Sequence, residues 1–179
     1  MGKRSIAPLV NGRVRLRLLE ETDLPLTLAW RNQDHIREWF FHSDVISPAQ
    51  HRAWWERYRD RDDDFVFIIE EIEVLKRPVG QLAIYHVDRA AGRAEFGRLM
   101  IGIDEARGLG LARLATTALV DHALTAWSFQ EVYLEVRADN WPAIRVYHAA
   151  GFTESARHTD RLIMHRRSDD TSARSPQPS

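Results

Sequence analysis

Apolar and polar residues alternate first at Val14, Leu16 and Leu18, separated by Arg15 and Arg17, a strand with one buried face. The period then lengthens. Thr22 opens a short helix reaching Trp30, with Leu24 and Leu28 at i, i+4 spacing, and 34–40 has room for another helical turn. Ser47-Pro48-Ala49-Gln50 is a helix start: Ser caps, Pro suits the first turn and Gln closes a capping box, with the helix running to about Arg59. Three strand-like stretches follow, a nearly continuous apolar run over 65–70, then 79–87, then 94–103 after the Ala91-Gly92 turn. Their short turns predict an antiparallel meander. Beyond Gly108 and Gly110 a long helix carries an inward stripe of Leu111, Leu114, Ala115, Ala118, Leu119 and His122. Val132, Leu134 and Val136 mark the next strand. Asn140 caps a last helix that Gly151 stops, and 153–165 closes with a strand pair.

Composition narrows the class. The 179 residues suit one domain over 1–167, and the Ser- and Pro-rich end, 168–179, predicts a disordered tail. Lys plus Arg total 25 against 26 Asp plus Glu, which argues against a nucleic-acid partner. The absence of cysteine removes disulfides, thiolate metal sites and cysteine nucleophiles. The apolar runs are too short for a membrane span, and the basic start lacks a signal peptide's apolar stretch, so a cytoplasmic location without a membrane partner is expected. The eight histidines form no HxxxH or HExxH pattern, and no metal site is expected.

The candidate chemistry begins at Arg107-Gly108-Leu109-Gly110-Leu111-Ala112, between a strand and a helix. Glycines admit a close ligand, and free N–H groups at a helix start favour an anion such as phosphate. The loop is not a nucleoside-triphosphate P-loop, lacking GxxxxGK[ST]. It is a poor dinucleotide fingerprint, because Arg113 stands where a third small residue belongs.

Arg107, Gly110 and Ala112 resemble the (Arg/Gln)-x-x-Gly-x-(Gly/Ala) acetyl-CoA loop of the GNAT N-acetyltransferases. About thirty residues on, Asn140-Trp-Pro-Ala143-Ile144-Arg-Val-Tyr147 through Gly151-Phe152 resembles a second segment of the same family. The likeness covers roughly 14–167. It implies an α/β (α+β) fold, a mixed, mostly antiparallel twisted sheet of six to seven strands flanked by about four helices. Trp30-Arg31-Asn32 with Ile36-Arg37, then Ile46-Ser47, His51 and Trp54, is similar to the RimJ/RimL-like branch, and within it to acetyltransferases of nucleotide-linked amino sugars.

The resemblance implies acetyl-CoA as co-substrate, a small primary amine as acceptor, and direct attack without an acyl-enzyme. Tyr147 is the expected general acid and Glu95 the expected base, with Glu135 and His86 as alternative bases near the acceptor. Met100 and Ile101 would offer backbone groups to the pantetheine arm, beside a bulge for which Gly102 is suited, while Asn140 and Ala143 border it. Arg107, Gly108, Leu109, Gly110, Leu111 and Ala112 would hold the pyrophosphate, with charge from Arg113. Trp30, Arg31, Asn32, His35 and Arg37 would build the acceptor cleft, where the arginines could pair with phosphate or carboxylate groups. A protein N-terminal acetyltransferase and a non-catalytic acyl-CoA sensor are the alternatives. A homodimer is the open expectation for assembly.

Overall fold

A computed structural model describes residues 3–169. Its element order is β1 (Leu9–Asn11), β2 (Val14–Leu18), α1 (Leu24–Arg31), α2 (Asp34–Arg37), α3 (Pro48–Tyr58), β3 (Asp64–Glu71), β4 (Arg77–Asp88), β5 (Arg93–Ile101), α4 (Leu111–Thr125), β6 (Glu131–Arg137), α5 (Trp141–Ala149), β7 (Thr153–Arg157) and β8 (Arg161–Arg167). All strands join one eight-stranded sheet in the order β1-β2-β3-β4-β5-β6-β8-β7, antiparallel except where β5 meets β6. The expected α/β architecture is present, with one strand more than the upper expectation. The addition is β1, a hairpin partner of β2 whose turn begins at Asn11-Gly12, with Gly12 at φ +55°. Asn-Gly is a strong hairpin signal, and this three-residue strand adds to those expected. Most of the expected tail, 170–179, lies outside the described residues.

Helices cover both sheet faces, which explains the unbroken apolar run of β3. Phe65, Phe67 and Ile69 join the core beneath α4 and α5, while Val66 and Ile68 pack with Leu24, Trp55 and Tyr58 of α1 and α3. A strand buried on both sides has no polar face to alternate with. The Ser47/Gln50 capping box forms as expected, each side chain bonded to the other residue's backbone N–H. Two helices are rotated from the expected stripes. In α1 the buried residues are Leu24, Thr27 and Trp30, while Leu28 is only half-buried. In α4 they are Leu111, Ala115, Thr116, Leu119, Val120, Ala123 and Leu124. Thr116 is tolerated inside because its hydroxyl donates to the Ala112 carbonyl at 2.7 Å. Among the described residues, no helix is long and apolar enough to cross a membrane.

Two departures from regular pairing shape the centre. β5 and β6 pair only over Arg93–Glu95 with Glu131–Tyr133, and beyond that point they separate. The β4–β5 register shifts between Gln81 and Ala83, opposite Arg98, whose φ is +53°. The bulge therefore sits at Arg98 and not at Gly102. Gly102 is small for another reason: a Cβ there would lie 2.1 Å from the Trp30 indole, so the glycine lets α1 dock on the end of β5.

Candidate active site

The opening between β5 and β6 forms a cleft of about 200 Å³. Its walls include Tyr85, Glu95, Glu135, Asn140, Ala143 and Tyr147, with Trp39, Phe40 and Phe41 from the segment after α2. Glu95 occupies the last paired position of β5. Its carboxylate accepts a hydrogen bond from the Tyr85 hydroxyl at 3.0 Å and lies 2.9 Å from His86 Nδ1. Tyr85 is the direct cross-strand partner of Glu95, and Gly97 leaves room for its phenol, since a Cβ there would lie 2.7 Å from that hydroxyl. A second register shift, with His86 at φ +49°, brings the neighbouring imidazole to the same carboxylate. Glu95 is thus held from two sides and is largely buried, whereas the His86 ring is 62% exposed.

Tyr147 comes from α5. Its ring packs edge-on against Phe96 and Phe152, with centroids 5.9 and 6.0 Å away. Its hydroxyl has no hydrogen-bond partner among the described residues. Burial pushes the phenol above its ordinary value, which keeps it protonated. Tyr85 is shifted upward too, by burial and then by the Glu95 charge. Glu135 differs from Glu95. It is 37% exposed at the cleft rim and pairs with Arg161 at 3.1 Å. Asn140 caps α5 by accepting from the Ala143 N–H at 3.2 Å, which uses its carbonyl oxygen and leaves its NH₂ for the cleft.

The glycine loop is open. Gly108 and Gly110 have φ of +72° and +75°, and a Cβ on either would meet nothing within 4 Å. Gly110 is the N-cap of α4 and supplies no side chain, so the first N–H groups of a fifteen-residue helix lack an internal cap. Arg13 donates to the Leu109 carbonyl at 2.7 Å and anchors the loop. Arg113, two residues into α4, is exposed. From Phe96 through Met100 and Ile101, the β5 edge that faces β6 has no strand partner. Carbonyl and N–H groups on such an edge suit an extended amide chain. These features fit the diphosphate and pantetheine of acetyl-CoA.

The residues expected at the acceptor divide. Trp30 is core, packed with Ile36 and Met100, so it does not line the cleft. Asn32 is a clasp: its amide donates to the Ile46 carbonyl at 2.8 Å and its oxygen accepts from the Ile46 N–H at 2.9 Å. Arg37 is engaged by Asp34 at 2.9 Å and the Ser43 carbonyl at 2.8 Å. The His35 imidazole contacts the Arg107 guanidinium, which puts His35 at the glycine loop. Arg31 of this group lines a pocket. That pocket, about 500 Å³, lies between α1, α3 and the connecting segment and shares Phe40 and Arg98 with the central cleft. The sequence reading missed Tyr85, Trp39, Phe40, Phe41 and Arg98. Hairpin register alone could have placed Tyr85 opposite Glu95; the others depend on a long non-repetitive segment. No group of three or more His, Asp or Glu suited to a metal occurs among the described residues.

The model of the acetyltransferase (GNAT) domain matches residues 13–153 of the chain. The chain belongs to the GNAT acetyltransferase family. It is an acetyl-CoA-dependent N-acetyltransferase. Spermidine N(1)-acetyltransferase of Vibrio cholerae is 23% identical over 161 residues, covering 90% of this chain and 91% of the relative. The Escherichia coli (strain K12) enzyme of the same name is 27% identical over 140 residues, covering 78% and 73%. A crystal structure of the V. cholerae enzyme with CoA and spermine superposes at a TM-score of 0.80 with 22% identity, over 89% of this chain and 98% of that one. That enzyme is also known as a dodecamer. These relatives act on spermidine, so they support neither the RimJ/RimL branch nor the amino-sugar enzymes suggested by Trp30-Arg31-Asn32.

Proposed function

We propose that this GNAT enzyme acetylates the primary amine of a small molecule by direct transfer in the β5–β6 cleft. The observation that carries the reading is the pairing of a largely buried, doubly hydrogen-bonded carboxylate, Glu95, with an unpartnered phenol, Tyr147, along an unpaired strand edge. Acetyl-CoA supplies the acetyl group as an activated thioester. Glu95 accepts the proton that the ammonium must lose before nitrogen can attack, and exposed His86 passes it to solvent. An N–H of the free β5 edge faces the developing oxyanion. As the new C–N bond forms and the C–S bond breaks, Tyr147 donates its proton to sulfur, and the second proton that nitrogen sheds on becoming an amide restores the phenol. A buried phenol is a weak acid, but burial also raises the proton affinity of a departing thiolate. Gly108 to Ala112 hold the diphosphate through backbone N–H groups, and the NH₂ of Asn140 reaches the pantetheine amides. Glu135, neutralised by Arg161, borders the acceptor without serving as base.

Spermidine is the reference acceptor on the strength of the relatives' names, and the V. cholerae dodecamer makes a homo-oligomer the reading for assembly, not specifically a dimer. The test is acceptor-dependent thiol release from acetyl-CoA with spermidine, other primary amines and N-terminal peptides. Release that requires a small amine supports the reading. Release only with peptides favours a protein N-terminal acetyltransferase, and acetyl-CoA binding without any release favours a sensor.

A further inference from the structure

The pocket beside α3 carries a charge that nothing in the described chain neutralises. Arg31 projects into it half-buried, with its guanidinium 4.1 Å over the Phe40 ring. One terminal nitrogen, Nη2, donates to the His42 carbonyl. The other, Nη1, is buried without a partner. No carboxylate pairs with Arg31 among the described residues, in contrast to its neighbours. Arg98, on the opposite wall, is held by both oxygens of Asp64 at 2.8 and 3.1 Å, and Arg37 is held by Asp34. Burial and the like charge of Arg37 pull Arg31 below its ordinary range. Each of these effects is relieved by a bound anion and worsened by a bound cation.

The rest of the wall agrees. Asp44 is the one carboxylate among the lining residues, and it is exposed. His51 is half-buried and held below its ordinary value by burial, so it is neutral at pH 7. Its ring stacks on Trp54 with 5.4 Å between centroids and 7° between planes. This surface can cover a chain or a flat group but offers no set of carboxylates for several ammonium groups. The pocket and the Glu95–Tyr147 cleft lie side by side with Phe40 and Arg98 as shared lining, which places Arg31 within one acceptor's reach of the cleft.

From this geometry we infer that the natural acceptor is a primary amine that also carries an oxyanion, a carboxylate or a phosphate, which binds Arg31 while the amine reaches Glu95. This rests on the acetyl-transfer reading above and departs from a polycationic acceptor. The test uses 4-aminobutyrate, 4-aminobutan-1-ol and 1,4-diaminobutane as one matched series, and O-phosphoethanolamine against ethanolamine as another. Turnover is measured at saturating acetyl-CoA. Binding of the same amines is measured by calorimetry on CoA-saturated protein, which needs no turnover. A charge-assisted bond to Arg31 predicts that the carboxylate or the phosphate amine binds about 10–100-fold tighter than its neutral partner, seen mainly in KM and Kd. Which of the two anions gains distinguishes the sources. Arg31→Gln should bring the ratio to near one, and Arg31→Lys should retain part of it. Equal binding of anionic and neutral amines by wild type, preference for 1,4-diaminobutane, or a ratio unmoved in Arg31→Gln would overturn the inference. Absence of turnover with intact anion-selective binding would instead sink the acetyl-transfer reading alone.

Discussion

Replacing Tyr147 by Phe removes one oxygen and little else. The hydroxyl has no protein partner, so its loss leaves no buried group unsatisfied. The packing against Phe96 and Phe152 is made by the ring and is retained. Stability should therefore change by no more than about 0.5 kcal/mol, the range of a substitution that breaks no packing or hydrogen bond. Catalysis is another matter. If Tyr147 delivers the proton to the departing sulfur, its loss should lower kcat by about 10²–10⁴-fold, or about 2.7–5.5 kcal/mol in barrier. The KM for acetyl-CoA should move little, because glycine loop and strand edge are untouched. The assay is steady-state thiol release by wild type and Tyr147→Phe, with a thermal melt of each. A thioester of a more acidic thiol leaves without needing the proton, so it should recover much of the lost rate in the variant. Wild-type turnover in Tyr147→Phe would refute the role, as would a rate deficit that is the same for both thioesters.

Glu95→Gln keeps the shape of the side chain and removes the proton acceptor, so kcat near neutral pH should fall by about 10²-fold or more while rising steeply as the amine deprotonates at higher pH; a pH profile parallel to wild type would assign the base elsewhere. Gly102→Ala forces a methyl group into the Trp30 indole at 2.1 Å, and overpacking of this kind should lower stability by about 1–3 kcal/mol in denaturant unfolding. An unchanged midpoint would mean that α1 does not depend on that contact. His51 and His122 are both held below their ordinary value of 6.5 by burial, so the unfolded chain binds protons more readily than the folded one below that pH. Their contribution is complete above pH 6.5 and is lost as the pH falls through their lower folded values. His51→Phe, which can retain the stack on Trp54, should flatten that decline, and identical acid profiles would contradict this origin.

The sheet and long helices were legible because their signals are local. Alternation at Val14–Leu18, the Ser47/Gln50 box and Gly110 before α4 each depend on residues adjacent in sequence. The position of the glycine loop at the start of α4 and of Tyr147 on α5 at the cleft was legible because both sit in short motifs of fixed spacing. What is not legible along the chain depends on register or on distant contacts. The bulge at Arg98 is set by pairing with β4, and the space at Gly102 is defined by Trp30, some seventy residues away in sequence. The roles within Trp30-Arg31-Asn32 could not be separated by reading along the chain, because a core residue, an unneutralised cation and a loop clasp follow one another on a single helical turn and its cap. Glu95 could be singled out from sequence, but its support from Tyr85 and His86 exists only once β4 and β5 are paired.

Direct transfer between two bound substrates is the claim on which the roles of Glu95 and Tyr147 depend, and a chain without cysteine lacks the commonest acyl carrier. Initial rates of thiol release, with acetyl-CoA and a primary amine acceptor varied together, test it most directly. The account predicts double-reciprocal lines that intersect, with no thiol released before the acceptor is added. Parallel lines, with a burst of one equivalent of thiol in the absence of acceptor, would show an acetyl-enzyme and contradict it.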